Sequence, residues 1–90
     1  MRESDLEKFT RLYIKLHGGL ALKFISPGFA GVPDRLVLMP GGKLCFMELK
    51  APGRKPRPLQ VRRIKQLRAL GFKVFVVDGK EKIGGIIDAL

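Results

Sequence analysis

The spacing of apolar residues predicts a helix at the start of the chain. Four residues recur at intervals of three and four, as on one face of an α-helix: Leu6, Phe9, Tyr13 and Leu16. Ser4 and Glu7 fit a capping box, in which each side chain bonds a free backbone N–H of the first turn. We expect this helix to end near His17, before two glycines.

Two apolar runs around a turn predict a β-hairpin within Leu36–Leu49. The turn centres on Gly41–Gly42, and the flanking residues are strand-forming. Pairing across this turn places Asp34 opposite Glu48 or Lys50. Directly opposed Cβ atoms lie roughly 4.5–5.5 Å apart, so these side chains should meet.

The rest of the chain adds two strands and two helices. They are a strand over Leu20–Ile25, a helix over Leu59–Leu70 with Gly71 as its C′ residue, a strand over Phe72–Val77 and a helix over Lys82–Leu90. Because the last strand follows a helical crossover, we expect it to run parallel to its neighbour in the sheet. The pattern predicts an α/β fold, with a mixed central sheet flanked by helices in a single domain over residues 1–90.

The charge of the chain indicates a polyanionic partner. Lys and Arg number 18 against 8 Asp and Glu, for a formal net charge of +10. No apolar run approaches the roughly 18 residues of a spanning helix, so the charge favours nucleic acid over a membrane. The chain begins without an apolar targeting segment, and we expect a cytoplasmic protein. The single cysteine, Cys45, should be a small buried residue.

Three charged residues of the predicted hairpin form a candidate site. Glu48 and Lys50 are two apart and therefore project from one face of a strand, facing Asp34. Two carboxylates this close repel unless a cation neutralises them, and Mg²⁺ prefers such oxygen ligands. Charges at the end of a buried strand are rare unless they are paired or bind a metal. From these fragments alone, a turn opener with a solvated ion pair stays an open alternative.

Four motifs carry a family resemblance: Gly31–Arg35, Phe46–Gly53, Pro58–Gln60 and Leu70–Phe75. Together they resemble the virus-type replication-repair nuclease (VRR-NUC) domain of the PD-(D/E)xK nuclease superfamily, over nearly the whole chain. The resemblance implies a restriction-endonuclease-like αβββαβ core, dependence on Mg²⁺ or Mn²⁺, and hydrolysis of DNA phosphodiester bonds. Stand-alone members from phages and bacteria are linked to branched or flapped DNA. The resemblance therefore implies a structure-selective endonuclease that cuts Holliday junctions or flaps. It also implies that the enzyme acts in replication or repair, in the cytosol of a phage host or a bacterium.

The resemblance also implies roles for matched residues. The implied metal ligands are Asp34, Glu48, the backbone carbonyl of Leu49 and Glu7, and the implied catalytic residues are Asp34, Glu48, Lys50 and Gln60. Two of these have structural alternatives. Glu7 also fits the helix cap, and Gln60 also fits an ordinary first-turn position of the second helix.

Basic residues flank the predicted site on its C-terminal side. They are Arg54, Lys55 and Arg57 in a proline-rich connector, and Arg62 and Arg63 in the second helix. We expect them to contact DNA phosphates, with ordinary solvated charge as the alternative. A chain this small has little surface with which to grip a junction. A two-fold homodimer, which is also the habit of the family, is therefore predicted.

Two other functions stay open. A non-catalytic nucleic-acid-binding module that keeps the nuclease fold fits the charge, and its binding would survive EDTA and Asp34→Asn. An RNA-binding protein of ribosomal type also fits the charge but gives no reason for buried carboxylates. Outside the site, we expect Arg35 to face away from Asp34 and form a salt bridge or cap, and His17 to cap carbonyls at the helix end.

Overall fold

A four-stranded mixed sheet organises the chain, and the computed structural model describes all residues 1–90. The elements are α1 (Glu3–Leu16), β1 (Leu20–Lys23), β2 (Arg35–Met39), β3 (Lys43–Leu49), α2 (Pro58–Ala69), β4 (Val74–Val77) and α3 (Ile83–Asp88), with short 3₁₀ turns at Pro40–Gly42 and Lys80–Lys82. The strand order is β1-β2-β3-β4. The first two pairs are antiparallel, and β3 and β4 are parallel. The predicted α/β fold with a mixed sheet is confirmed.

The hairpin register decides where the charged residues lie. Arg35 pairs with Met47, and the same register continued one step places Asp34 opposite Glu48. The N–H of Phe24 donates to the carbonyl oxygen of Asp34 at 2.8 Å, which closes the loop between β1 and β2 at its base. Asp34 thus sits where two strand pairings end, beside the C-terminal end of β3.

The core lies on both faces of the sheet. One face packs on α1 and α3 through eight fully buried residues: Leu6, Ile14, Val37, Cys45, Met47, Leu49, Val77 and Ile83. The other packs on α2 through Phe46, Ile64 and Val74. Because successive residues of β3 alternate between these faces, the strand is buried on both sides at its C-terminal end. Cys45 is free and buried, as predicted.

The predicted cap of the first helix is wrong. Arg2 is the N-cap residue, and its N–H donates to the Asp5 carboxylate at 3.0 Å. The helix therefore begins earlier than Ser4, and Glu7 has no capping bond because it lies one turn inside the helix. The other end agrees with expectation, since Nδ1 of His17 bonds the carbonyl oxygen of Tyr13 at 2.8 Å.

Other predicted boundaries shift by a few residues. The strand predicted from Leu20 ends at Lys23, and β4 begins at Val74. The second shift has a clear cause, because Phe72 belongs to the cap of α2. Its N–H donates to the carbonyl oxygen of Leu67 at 3.1 Å across Gly71. Gly71 has a φ of 95°, the left-handed conformation of a C′ glycine. None of the helices combines the length and apolarity that crossing a bilayer requires.

Candidate active site

Asp34 and Glu48 are held against each other by their own backbones. The N–H of Asp34 donates to Oε1 of Glu48 at 3.2 Å. The N–H of Leu49 donates to Oδ1 of Asp34 at 3.3 Å, with Oδ2 at 3.4 Å. Each carboxylate therefore accepts from the strand that carries the other. This reciprocal arrangement fixes the two groups at the open end of the hairpin.

The other oxygen of Glu48 brings in two more polar side chains. Oε2 accepts from Nε2 of Gln60 at 2.9 Å and lies 3.2 Å from Nζ of Lys50. Gln60 is in the first turn of α2, and its own Oε1 accepts the N–H of Arg57 at 2.9 Å. Both ends of the amide are thus satisfied, which orients it toward Glu48. Glu48 is only 2% exposed, so these contacts replace its hydration.

The Asp34 carboxyl group of the site has a perturbed pKa. Burial, followed by the charge of Glu48, raises its pKa from 3.8 to about 7, against the opposing bond from the Leu49 N–H and the charge of Arg35. The carboxyl pair is therefore short of positive charge even with Lys50 in contact. A hard divalent cation suits that deficit, because its preferred ligands are carboxylate oxygens.

The donor set of the site is a carboxylate pair rather than a larger cage. No group of three or more His, Cys, Asp and Glu side chains gathers anywhere in the chain. Mg²⁺ is commonly held by one or two carboxylates, with water and substrate phosphate filling the other positions. Asp34 and Glu48 fit that pattern. The predicted role of the Leu49 carbonyl as a ligand stays a prediction.

Glu7 faces the sheet and meets Arg35. Oε1 of Glu7 lies 3.3 Å from Nη2 of Arg35, whose side chain is 9% exposed. The salt bridge expected for Arg35 is confirmed, and it ties α1 to β2. Nε of Arg35 is buried without a hydrogen-bond partner. Glu7 is close enough to raise the pKa of Asp34, and its carboxylate accepts from Arg35. Its role as a metal ligand stays a prediction.

A basic cleft opens beside Lys50. Its lining residues are all charged: Glu3, Lys50, Arg54, Lys55 and Arg57. The connector after β3 thus brings three predicted DNA-binding residues into the same cleft as Lys50, which contacts Glu48. The sequence interpretation missed Glu3. Its spacing of four from Glu7 was the available signal, because it puts both acids on one helix face.

The two arginines predicted on α2 have different surroundings. Arg62 is exposed. The guanidinium of Arg63 is engaged within the protein: Nε donates to the carbonyl oxygen of Ala30 at 2.8 Å, and Nη1 donates to Gln66 at 2.9 Å. Arg63 therefore holds the loop before β2 against α2, whereas Arg62 is free to contact a partner.

Comparisons with known proteins agree with this geometry. A scan against family models finds no match. The chain is 49% identical over 81 residues, 90% of this chain and 87% of the other, to "Putative nuclease p44" of Acyrthosiphon pisum secondary endosymbiont phage 1. A solved structure described as "VRR_NUC domain" superposes with a TM-score of 0.88 at 33% identity, covering 96% of this chain and 94% of the other. The chain belongs to the VRR-NUC family.

Proposed function

We propose that this protein is a metal-dependent nuclease that hydrolyses phosphodiester bonds of DNA. The observation that carries the proposal is the cluster in which Asp34 and Lys50, both half-buried, lie against Glu48, which Gln60 also contacts from α2; Glu48 and Gln60 are buried. A structural ion pair would need one acid and one base. This site has two acids, one of them with a raised pKa, which is typical of a functional site.

The residues of the cluster have distinct proposed roles. Asp34 and Glu48 would hold Mg²⁺ or Mn²⁺, which when bound polarises a phosphoryl oxygen and lowers the pKa of water. Lys50 would orient the attacking water or offset the charge that develops on the phosphate oxygens. Gln60 would fix the rotamer of Glu48, because it bonds Glu48 with one end and the Arg57 backbone with the other.

The basic cleft supplies the proposed DNA contacts. Arg54, Lys55 and Arg57 line the same cleft as Lys50. A phosphate bound there would lie next to the carboxylate pair. Arg62, exposed on α2, would extend the contact along the strand. Recognition of this kind reads backbone shape rather than base sequence.

We further propose that the working form is a homodimer acting on branched or flapped DNA. The support is an apolar area on the edge strand β1 and its neighbours. Leu20 is 56% exposed and Leu22 is 43% exposed, and Leu44 lies on the same sheet face. An open strand edge beside exposed leucines suits pairing with a second copy. Sedimentation of the wild type and of Leu22→Lys tests this, and a monomeric wild type would contradict it.

The nuclease proposal is tested by a panel of labelled substrates. A four-way junction, a flap and a linear duplex are incubated with Mg²⁺ or EDTA, using wild type, Lys50→Ala and the matched control Lys43→Ala. Lys43 starts β3, at the end of the strand away from Glu48. We expect Mg²⁺-dependent incision by wild type and the control, and loss of incision with Lys50→Ala. Binding without incision of any substrate would instead indicate a non-catalytic module.

A further inference from the structure

One exposed aromatic residue near the site has no part in the core. Phe29 lies in the loop between β1 and β2 and is 43% exposed. It packs with neither of the two apolar clusters. Large aromatic rings are usually buried because each carries a large apolar area. Phe72 is equally exposed, but no cation lies over its ring, whereas the Arg63 guanidinium lies over the ring of Phe29.

Several contacts hold the ring despite its exposure. The guanidinium carbon of Arg63 lies 3.8 Å from the centroid of the Phe29 ring, which is a stacked cation–π contact. Arg63 is itself fixed by its bonds to Ala30 and Gln66. The N–H of Phe29 donates to the carbonyl oxygen of Ser26 at 3.1 Å, so the backbone turns at this point. Side chain and backbone both hold Phe29 in place.

The loop that carries the ring is packed against α2. Gly31 has a φ of 90°, and a Cβ built on it would lie 2.8 Å from Cγ of Leu59. Only glycine permits both the conformation and this close approach. Leu59 precedes Gln60, which bonds Glu48. Phe29 is therefore tied to the same helix turn that positions the carboxylate pair.

The ring is also close to the site along the chain. Asp34 follows Phe29 by five positions, which span at most about 18 Å. Successive phosphates of one strand are spaced by roughly 3.4 Å along a duplex, so the backbone of Phe29 lies within about five base steps of Asp34. A base stacks on an aromatic face only when it has left its own stack, as at a flap or branch. Arg63 covers one face of the ring and adds positive charge beneath it.

We propose that Phe29, backed by Arg63, is a stacking platform for an unpaired DNA base within about five bases of the cleaved bond. This inference rests on the proposed nuclease function and narrows its substrate class. The platform would favour binding of DNA that presents an unpaired base near the site, such as a flap or an open branch point. Continuous duplex gains nothing from the platform, because its bases stay stacked on one another.

Tryptophan fluorescence gives a direct test, because the chain contains no tryptophan. Phe29→Trp introduces a single reporter at the platform, and Phe72→Trp is a matched control. Both phenylalanines are 43% exposed, and Phe72 precedes β4 at the end of the sheet away from Glu48. Each variant is made together with Lys50→Ala to prevent cleavage. Each is then saturated with a flap or with a duplex of equal length, and saturation is followed by anisotropy of the labelled DNA.

We expect the flap to quench the fluorescence of Phe29→Trp strongly, the duplex to quench it weakly, and neither to change that of Phe72→Trp. In the wild-type background, Phe29→Ala should weaken flap binding by about tenfold and duplex binding by less than about twofold, while Phe29→Tyr keeps flap binding. Equal quenching by flap and duplex, or an unquenched platform reporter in saturated complexes, would overturn the platform. DNA that fails to bind at all would overturn it too.

These outcomes are separable from those of the nuclease proposal. Mg²⁺-dependent incision by the wild type, together with an unquenched reporter in Phe29→Trp, refutes the platform and leaves the nuclease intact. Selective quenching by the flap, without incision by the wild type, supports the platform and refutes the nuclease.

Discussion

Asp34→Asn should stabilise the metal-free protein while removing its affinity for a divalent cation. The substitution removes a negative charge that burial and the neighbouring Glu48 both disfavour, but it keeps an oxygen that can accept from the Leu49 N–H. The pKa of Asp34 rises from 3.8 to about 7, and a difference of that size is worth at most roughly 4 kcal/mol. Because Asp34 is only half-buried, solvent screening reduces the expected gain to about 1–2 kcal/mol at pH 8.

The sign of the pH dependence follows from the raised pKa. The folded protein keeps a proton on Asp34 that the unfolded chain releases above pH 3.8. This contribution to stability is complete below that pH and is lost as the pH rises through about 7, above which it is flat. The asparagine variant has no such proton, so the gap between the two proteins should widen from pH 4 to pH 8.

Urea unfolding in EDTA measures this gap directly. The free energy of unfolding is determined for wild type and Asp34→Asn at several pH values, and again at pH 8 with Mn²⁺. We expect the variant to be the more stable protein in EDTA at pH 8, and Mn²⁺ to stabilise only the wild type. Parallel pH profiles, or a variant that is less stable at pH 8, would refute the raised pKa of Asp34 and, with it, the burial and the repulsion from Glu48 that cause it.

Three further predictions test the surroundings of the pair. Gln60→Ala should lower the incision rate by about 10- to 100-fold, because Glu48 loses the bond that fixes its rotamer; an unchanged rate in single-turnover assays would contradict this. Arg35→Met should cost about 1–3 kcal/mol of stability in urea unfolding, because it removes the buried partner of Glu7, which is itself 34% exposed; a loss below about 0.5 kcal/mol would argue against that pair. Arg54→Ala should reduce the slope of log affinity against log salt by about 0.9, measured by anisotropy, and Lys43→Ala should leave it unchanged; equal slopes for all three proteins would count against the basic cleft.

The heart of the site was predictable because it depends on local geometry. A short turn fixes the register of a hairpin, and the register alone brings Asp34 to Glu48. The alternation of side chains in a strand then adds Lys50 on the same side. Gln60 came from the family resemblance, and its bond to Glu48 agrees with the catalytic position that the resemblance implied.

The surroundings of the site were less predictable because they depend on contacts between distant segments. Glu7 meets Arg35 across 28 residues, and Arg63 reaches Ala30 across 33. No local pattern specifies which residue of a helix will face which strand. The first cap was misjudged for another reason: Arg2 with Asp5 and Ser4 with Glu7 offer the same spacing, and the chain takes the earlier one.

A crystal soaked in Mn²⁺ tests the central claim most directly. We expect anomalous density between the carboxylates of Asp34 and Glu48, and its loss in Asp34→Asn crystals treated in the same way. Well-ordered Asp34 and Glu48 side chains with no anomalous peak between them, at saturating Mn²⁺, would contradict the proposed metal site.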